Sequence, residues 1–170
     1  MQVMTLRLYS LSYTQLKTYF IAIAFVAGNI ILPQIAHLVP QGGFFFVPIY
    51  FFRLIGAYKY GWKVGLLTAI LSPILNHLIF TMPQLVALPA VLTKSILLAI
   101  IAGLAANYFK RLSILILAAV VLTYQLLGTL VEWAMIGDIF KAIQDFRIGI
   151  AGMLIQIFGG YLVIKYLICK

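Results

Sequence analysis

Acidic residues are almost missing from this chain: three Asp and Glu stand against twelve Lys and Arg in 170 residues. Charge of either sign is scarce, at 9% of residues, where soluble domains carry about 25%. That scarcity excludes an ordinary solvated surface. The single cysteine, Cys169, permits no internal disulfide and implies no redox framework. His37 and His77 come without a further ligand motif, so no metal and no cofactor is expected. No Gly-rich phosphate loop followed by Lys and Ser or Thr occurs, so ATP-dependent work would need partners. The net charge of +9 would suit a nucleic acid, but the basic residues are spread through short gaps and form no patch. Without a fixed-period repeat, a low-complexity tract or a soluble appendage, residues 1–170 read as one domain.

What the chain has in quantity is apolar surface. Hydrophobic residues make up 65% of it and the mean hydropathy is +1.14. A small domain leaves much of its surface exposed, so lipid is the expected solvent for most of this one. A helix needs about 20 apolar residues to cross a bilayer. Such runs predict an all-α, polytopic bundle of six membrane helices near 18–39, 44–58, 62–80, 84–108, 112–136 and 147–167. The stretch from Tyr19 to Val39 is too long for the core of a signal peptide, about 7–15 residues, and is expected to remain as the first span. Pro33, Pro48, Pro73 and Pro89 fall inside these runs, which membrane helices tolerate when neighbours satisfy the freed carbonyls.

The charges then give an orientation. Arg7 and Lys17 precede the first span, Lys59 and Lys63 separate the second from the third, and Lys110 and Arg111 separate the fourth from the fifth. Lys165 and Lys170 close the chain, whereas the gaps after the first and third spans carry no Lys or Arg. The gap after the fifth span mixes Asp138, Lys141, Asp145 and Arg147. The positive-inside rule places both termini in the cytoplasm, as an even number of spans requires.

Polar residues inside the spans are costly and face the bundle or a cavity. Glu132 and Lys94 both fall in the outer half or at the midplane. Gln125, Thr129 and Glu132 share one face of the fifth span, and Thr68, Ser72 and Asn76 share one face of the third, beside His77. Gly149, Gly152, Gln156 and Gly159 form a small, polar stripe on the sixth. His37, Asn76, His77, Lys94, Gln125, Glu132, Trp133 and Arg147 are therefore candidate ligand contacts around one outward cavity. Each also has a plainer reading. Lys94 and Glu132 neutralise one another, and Asn76, Gln125 and Gln156 bond between helices. His37 and His77 are polar lining, and Tyr50 and Trp133 are interfacial anchors. Arg53 is expected to reach toward the cytoplasmic face. The uncharged Val39-Pro40-Gln41-Gly42-Gly43 segment is either a lid or a tight connection, with Gly42 and Gly43 supplying freedom.

Two segments carry a family resemblance. One is Pro48-Ile-Tyr-Phe-Phe-Arg-Leu-Ile-Gly56-Ala-Tyr-Lys-Tyr-Gly61-Trp-Lys-Val-Gly65, with glycines on both sides of a short basic turn. The other is the small-residue motif Ala24-Phe-Val-Ala27-Gly28 in the first span, with Gly28 where the family has the second of two alanines. Together with size and span number, they make the chain resemble the substrate-capture (S) components of energy-coupling-factor vitamin transporters, over nearly its whole length. The resemblance implies a bacterial or archaeal cell membrane, docking through Ala24 and Gly28 on a transmembrane coupling subunit, and a pair of ATPases. It implies capture, without catalysis, of a small water-soluble vitamin or precursor by Lys94, Glu132, Trp133, Arg147, Gly42 and Gly43. The chain begins Met1-Gln2-Val3, which departs from the Met-His start of the family's nickel and cobalt members. A stand-alone small permease or channel, an intramembrane enzyme using a histidine with Glu132, and a structural membrane subunit remain as alternatives.

Overall fold

The computed structural model describes residues 11–37 and 50–168. The described residues fold into α1 (Leu16–His37), α2 (Phe51–Tyr60), α3 (Trp62–Phe80), α4 (Leu88–Phe109), α5 (Ile114–Ile136), α6 (Ile139–Ile148) and α7 (Ile150–Ile168), with no strand among them. Long unbroken apolar runs with few turn residues leave a helix as the only way to satisfy the backbone away from water.

Four of these helices are long and apolar enough to cross a membrane: Leu16–Ile35 of α1, then α3, α4 and α5. The α6–α7 pair meets the same test as one element bent by 46°. α2 as described has 10 residues and is too short to cross alone. The six predicted spans thus correspond to four or five candidate spans plus a short buried helix. The predicted second span began at residue 44, and its first part lies outside the described residues. The segment after α5, predicted to be a loop, is instead the helix α6, so the last long helix begins at Ile150 and not at 147. Asp138 makes this turn: its side chain accepts hydrogen bonds from the backbone N–H groups of Phe140 (3.0 Å) and Lys141 (3.3 Å), an N-terminal cap.

The distribution of polarity is inverted relative to a soluble protein. Leu16, Leu78, Val86 and Leu115 are 74%, 71%, 93% and 80% exposed. The interior meanwhile holds Asn29, Arg53, Thr68, Ser72, Asn76, Lys94, Ser95, Gln125 and Gln156. Exposed apolar surface on this scale requires lipid around it. The protein is membrane-embedded and multi-pass.

The short helix α2 lies at the centre, packed on α1, α3, α4 and α7. Leu54, Ile55, Ala57 and Tyr58 have no exposure at all and nucleate the main apolar core with Leu98, Leu117 and Val121. Glycines permit this close approach. A Cβ on Gly65 would lie 2.5 Å from the Cβ of Ala57, and one on Gly103 would lie 2.5 Å from the Cβ of Trp62. Gly61, at φ 98°, makes the reversal between α2 and α3. At this end of the bundle the Tyr58 hydroxyl donates to the Arg111 carbonyl at 2.7 Å, tying α2 to the α4–α5 turn. The other end carries the α3–α4 connection, Gly137 and α6.

Candidate ligand-binding site

Lys94 projects from α4 two turns below its start, and Glu132 from α5 one turn before its end. Antiparallel packing of the two helices brings these positions to one level. The Lys94 ammonium lies 2.6 Å from a Glu132 carboxylate oxygen, with 2% and 13% of the side chains exposed. Gly128, one turn below Glu132, lets the lysine stem cross α5. Gln125, another turn down the polar face predicted for α5, is buried, and Thr129 is half-buried between them.

The pair forms the floor of a groove of about 270 Å³ between the start of α4, the end of α5 and α6. Ala87, Ala90 and Val91 supply an apolar wall, and Lys141, Gln144 and Ile148 line it from one face of α6. An ion pair at the base of an open hollow offers a ligand both signs of charge, with charge-assisted bonds to a carboxylate and to an N–H donor. Among the described residues, no group of three His, Cys, Asp or Glu side chains gathers to hold a metal.

The remaining candidates divide. Asn76 is buried on the inward face of α3, as predicted, with its Oδ1 lacking a hydrogen-bond partner among the described residues. His77 is half-buried, and its Nδ1 lies 2.7 Å from the Pro83 carbonyl, which can only accept, so Nδ1 carries the hydrogen. That bond fixes the ring to the α3–α4 connection. Trp133 is 44% exposed and does not line the groove. Arg147 lies on an exposed part of α6, where it lines an adjoining hollow of about 540 Å³ with Phe140, Ile143, Gln144 and Ile148, the last two shared with the groove. The His37 side chain, Gly42 and Gly43 lie outside the described residues. Ala24 is exposed on α1, and Gly28, one turn on, is half-buried, where a Cβ would meet the Phe52 ring at 2.8 Å.

Comparison of the chain with protein-family models, curated proteins and solved structures gives no match.

A second polar centre, which the sequence reading missed, lies around Arg53. This residue was expected to reach the cytoplasmic face; it is instead fully buried. Its Nε and Nη2 donate to the Ser72 hydroxyl at 3.0 and 2.8 Å, and its Nη1 donates to the Ser95 hydroxyl. Ser72 is near the middle of α3, and Ser95 follows Lys94 on α4, so the guanidinium lies deep in the bundle. Tyr50, expected as an interfacial anchor, is 4% exposed and places its ring 5.2 Å beneath the guanidinium. The Tyr50 and Tyr124 rings are 5.8 Å apart, and the Tyr124 hydroxyl donates to Gln156 Oε1 at 2.9 Å. Asn29 Nδ2 completes the set with a 3.4 Å bond to Ser72. The one sequence signal was depth: Arg53 stands seven residues before Tyr60, about 10 Å along the helix at about 1.5 Å per residue. Its burial depended on α2 being enclosed on all sides, which no local pattern specifies.

Proposed function

We propose that the chain is the solute-capture subunit of an importer of the energy-coupling-factor type. In this reading it spans a bacterial or archaeal cell membrane six times with both termini inside, and α6 and the groove face outward. It takes a small water-soluble, vitamin-like compound from outside and delivers it inward with a coupling membrane subunit and two ATPases. The observation that carries the reading is the Lys94–Glu132 pair at the floor of an open groove of about 270 Å³. Such a volume sits at the lower edge of small-molecule sites, which start at about 300 Å³. A carboxylated heterocycle with a ring N–H offers the complementary groups. Lys94 would bind its carboxylate and Glu132 its N–H, and the apolar wall at Ala87, Ala90 and Val91 would receive the ring.

The test is native mass spectrometry of the detergent-purified protein, followed by thermal-shift titration of vitamins and their precursors. One compound bound at a stoichiometry near one, and lost in Lys94→Ala and in Glu132→Ala, is expected. Uptake by cells expressing the chain should then require the ATPases. Uptake that persists without them would replace this reading with a stand-alone permease. An altered product would replace it with an enzyme.

A further inference from the structure

Arg53 has no carboxylate beside it among the described side chains. The whole chain contains three acids, Glu132, Asp138 and Asp145. Glu132 is held by Lys94 at 2.6 Å, and Asp138 lies 3.8 Å from Lys141 at the exposed end of the bundle. Asp145 belongs to α6, which packs on α5 and α7. Among the described side chains, the guanidinium meets two serine hydroxyls and an aromatic face, with no carboxylate. A guanidinium has five N–H donors. Three of them reach the two hydroxyls. Ser72 is oversubscribed, since its one oxygen faces Arg53 Nε, Arg53 Nη2 and Asn29 Nδ2.

The surroundings are also incomplete as a hydrogen-bond network. Asn29 Oδ1, Asn76 Oδ1 and Gln156 Nε2 are buried without a hydrogen-bond partner among the described residues. Asn29 touches Ser72 directly, Asn76 lies one turn further along the same face of α3, and Gln156 joins through Tyr124 and Tyr50. A buried cation with no carboxylate beside it and a shell with unused donors and acceptors are each expensive in a lipid-embedded interior. A planar fork of N–H donors is the geometry that receives a carboxylate or phosphate through two parallel bonds.

We propose that Arg53 is an anion-binding residue, taking the carboxylate or phosphate of a small ligand between α1, α2, α3 and α4. The proposal deepens the capture reading and rests on it for the nature of the ligand: the carboxylate or phosphate of the captured solute docks on Arg53 rather than on Lys94. The Ser72 and Ser95 hydroxyls hold the fork in place, and the Tyr50 ring supports its face.

The experiment uses the full chain in detergent at low salt, with thermal unfolding read against benzoate, pyridine-3-carboxylate and phenyl phosphate. Benzamide and pyridine-3-carboxamide serve as uncharged partners, and sodium chloride as the inorganic anion. At least one organic anion is expected to raise the unfolding temperature of the wild type where its amide does not. Stabilisation by carboxylates or by phenyl phosphate alone identifies which group the site takes. Arg53→Met is expected to lose the response while unfolding, without ligand, near the wild-type temperature, because it also removes a buried cation. A residue serving only as an anchor would instead cost much stability on replacement. Should Arg53→Met fail to fold, Arg53→Lys decides: it keeps the charge, loses the fork, and is expected to bind about tenfold or more weakly. Equal action of acid and amide, an unchanged dissociation constant in Arg53→Lys, or no response to any anion would overturn the proposal. Amide binding that depends on Lys94 and Glu132 alone would do so while leaving solute capture intact. Chloride matching the organic anions, with loss of the effect in Arg53→Met, would retain the anion site and remove the capture reading.

Discussion

A Cβ placed on Gly128 would lie 2.5 Å from Cγ of Lys94 and 3.3 Å from its Cε. The lysine stem thus rests on the bare backbone of α5, and the ammonium reaches Glu132 one turn further on. The clash falls near the root of the side chain, where rotation of the distal bonds gives no relief. Gly128→Ala is therefore expected to lower stability by about 1–3 kcal/mol, in the range of overpacked cores. It should also weaken any ligand that depends on the pair. Thermal unfolding and ligand titration of the one variant check both.

The ion pair itself makes a double-mutant cycle informative. Removing one partner of a buried pair strands the other, at a cost of about 3–5 kcal/mol when burial is complete. Glu132 is partly open to the groove, so the lower end applies. Lys94→Met and Glu132→Gln are each expected to destabilise, and the double variant to cost less than the sum. Additive effects in unfolding free energy would mean that the two side chains do not interact.

Two other glycines set the seams of α2, α3 and α4. A Cβ on Gly103 would meet Trp62 Cα at 2.8 Å and its N at 2.9 Å, and one on Gly65 would meet Ala57 Cα at 2.9 Å. Backbone atoms cannot swing aside, so alanine at either site is expected to cost about 3 kcal/mol or more, with helices forced apart. Gly137 offers the contrast. It has open space around it but φ 75°, so Gly137→Ala should cost only the strain of a left-handed residue, about 1–2 kcal/mol. The order of the three unfolding temperatures is the measurement.

Orientation is open to direct labelling. On a Cys169→Ser background, Gln84→Cys places an exposed thiol in the α3–α4 connection, and Lys110→Cys places one at the opposite end. A membrane-impermeant thiol reagent on intact cells is expected to label Gln84→Cys at once and Lys110→Cys only after permeabilisation. The reverse pattern would put the groove inside and rule out capture from outside.

The groove was partly legible in the sequence. Lys94 and Glu132 stood out because charge is so rare inside apolar runs, and the spacing of Gln125, Thr129 and Glu132 gave their face correctly. Trp133 was joined to that cluster because it neighbours Glu132, and Arg147 because it opened the predicted sixth span on the same side. One residue of helix rotation turns Trp133 away from Glu132, and α6 carries Arg147 to the adjoining hollow. The segment between 136 and 147 was read as a loop because its mixed charges gave no span, although Asp138 before an apolar residue is a helix-start signal.

By itself the sequence determined that the chain is helical and that lipid surrounds it, because hydropathy is a sum over residues and needs no contacts. It also determined which faces of α3 and α5 turn inward, since a 3.6-residue period is local. Tertiary structure decided where α2 lies, and with it the fate of Arg53 and Tyr50. A short apolar helix bearing one arginine reads the same whether it borders the membrane surface or is wrapped by four others. Only the packing of α1, α3, α4 and α7 around it removed the arginine from solvent and set it against the Ser72 and Ser95 hydroxyls and the Tyr50 ring.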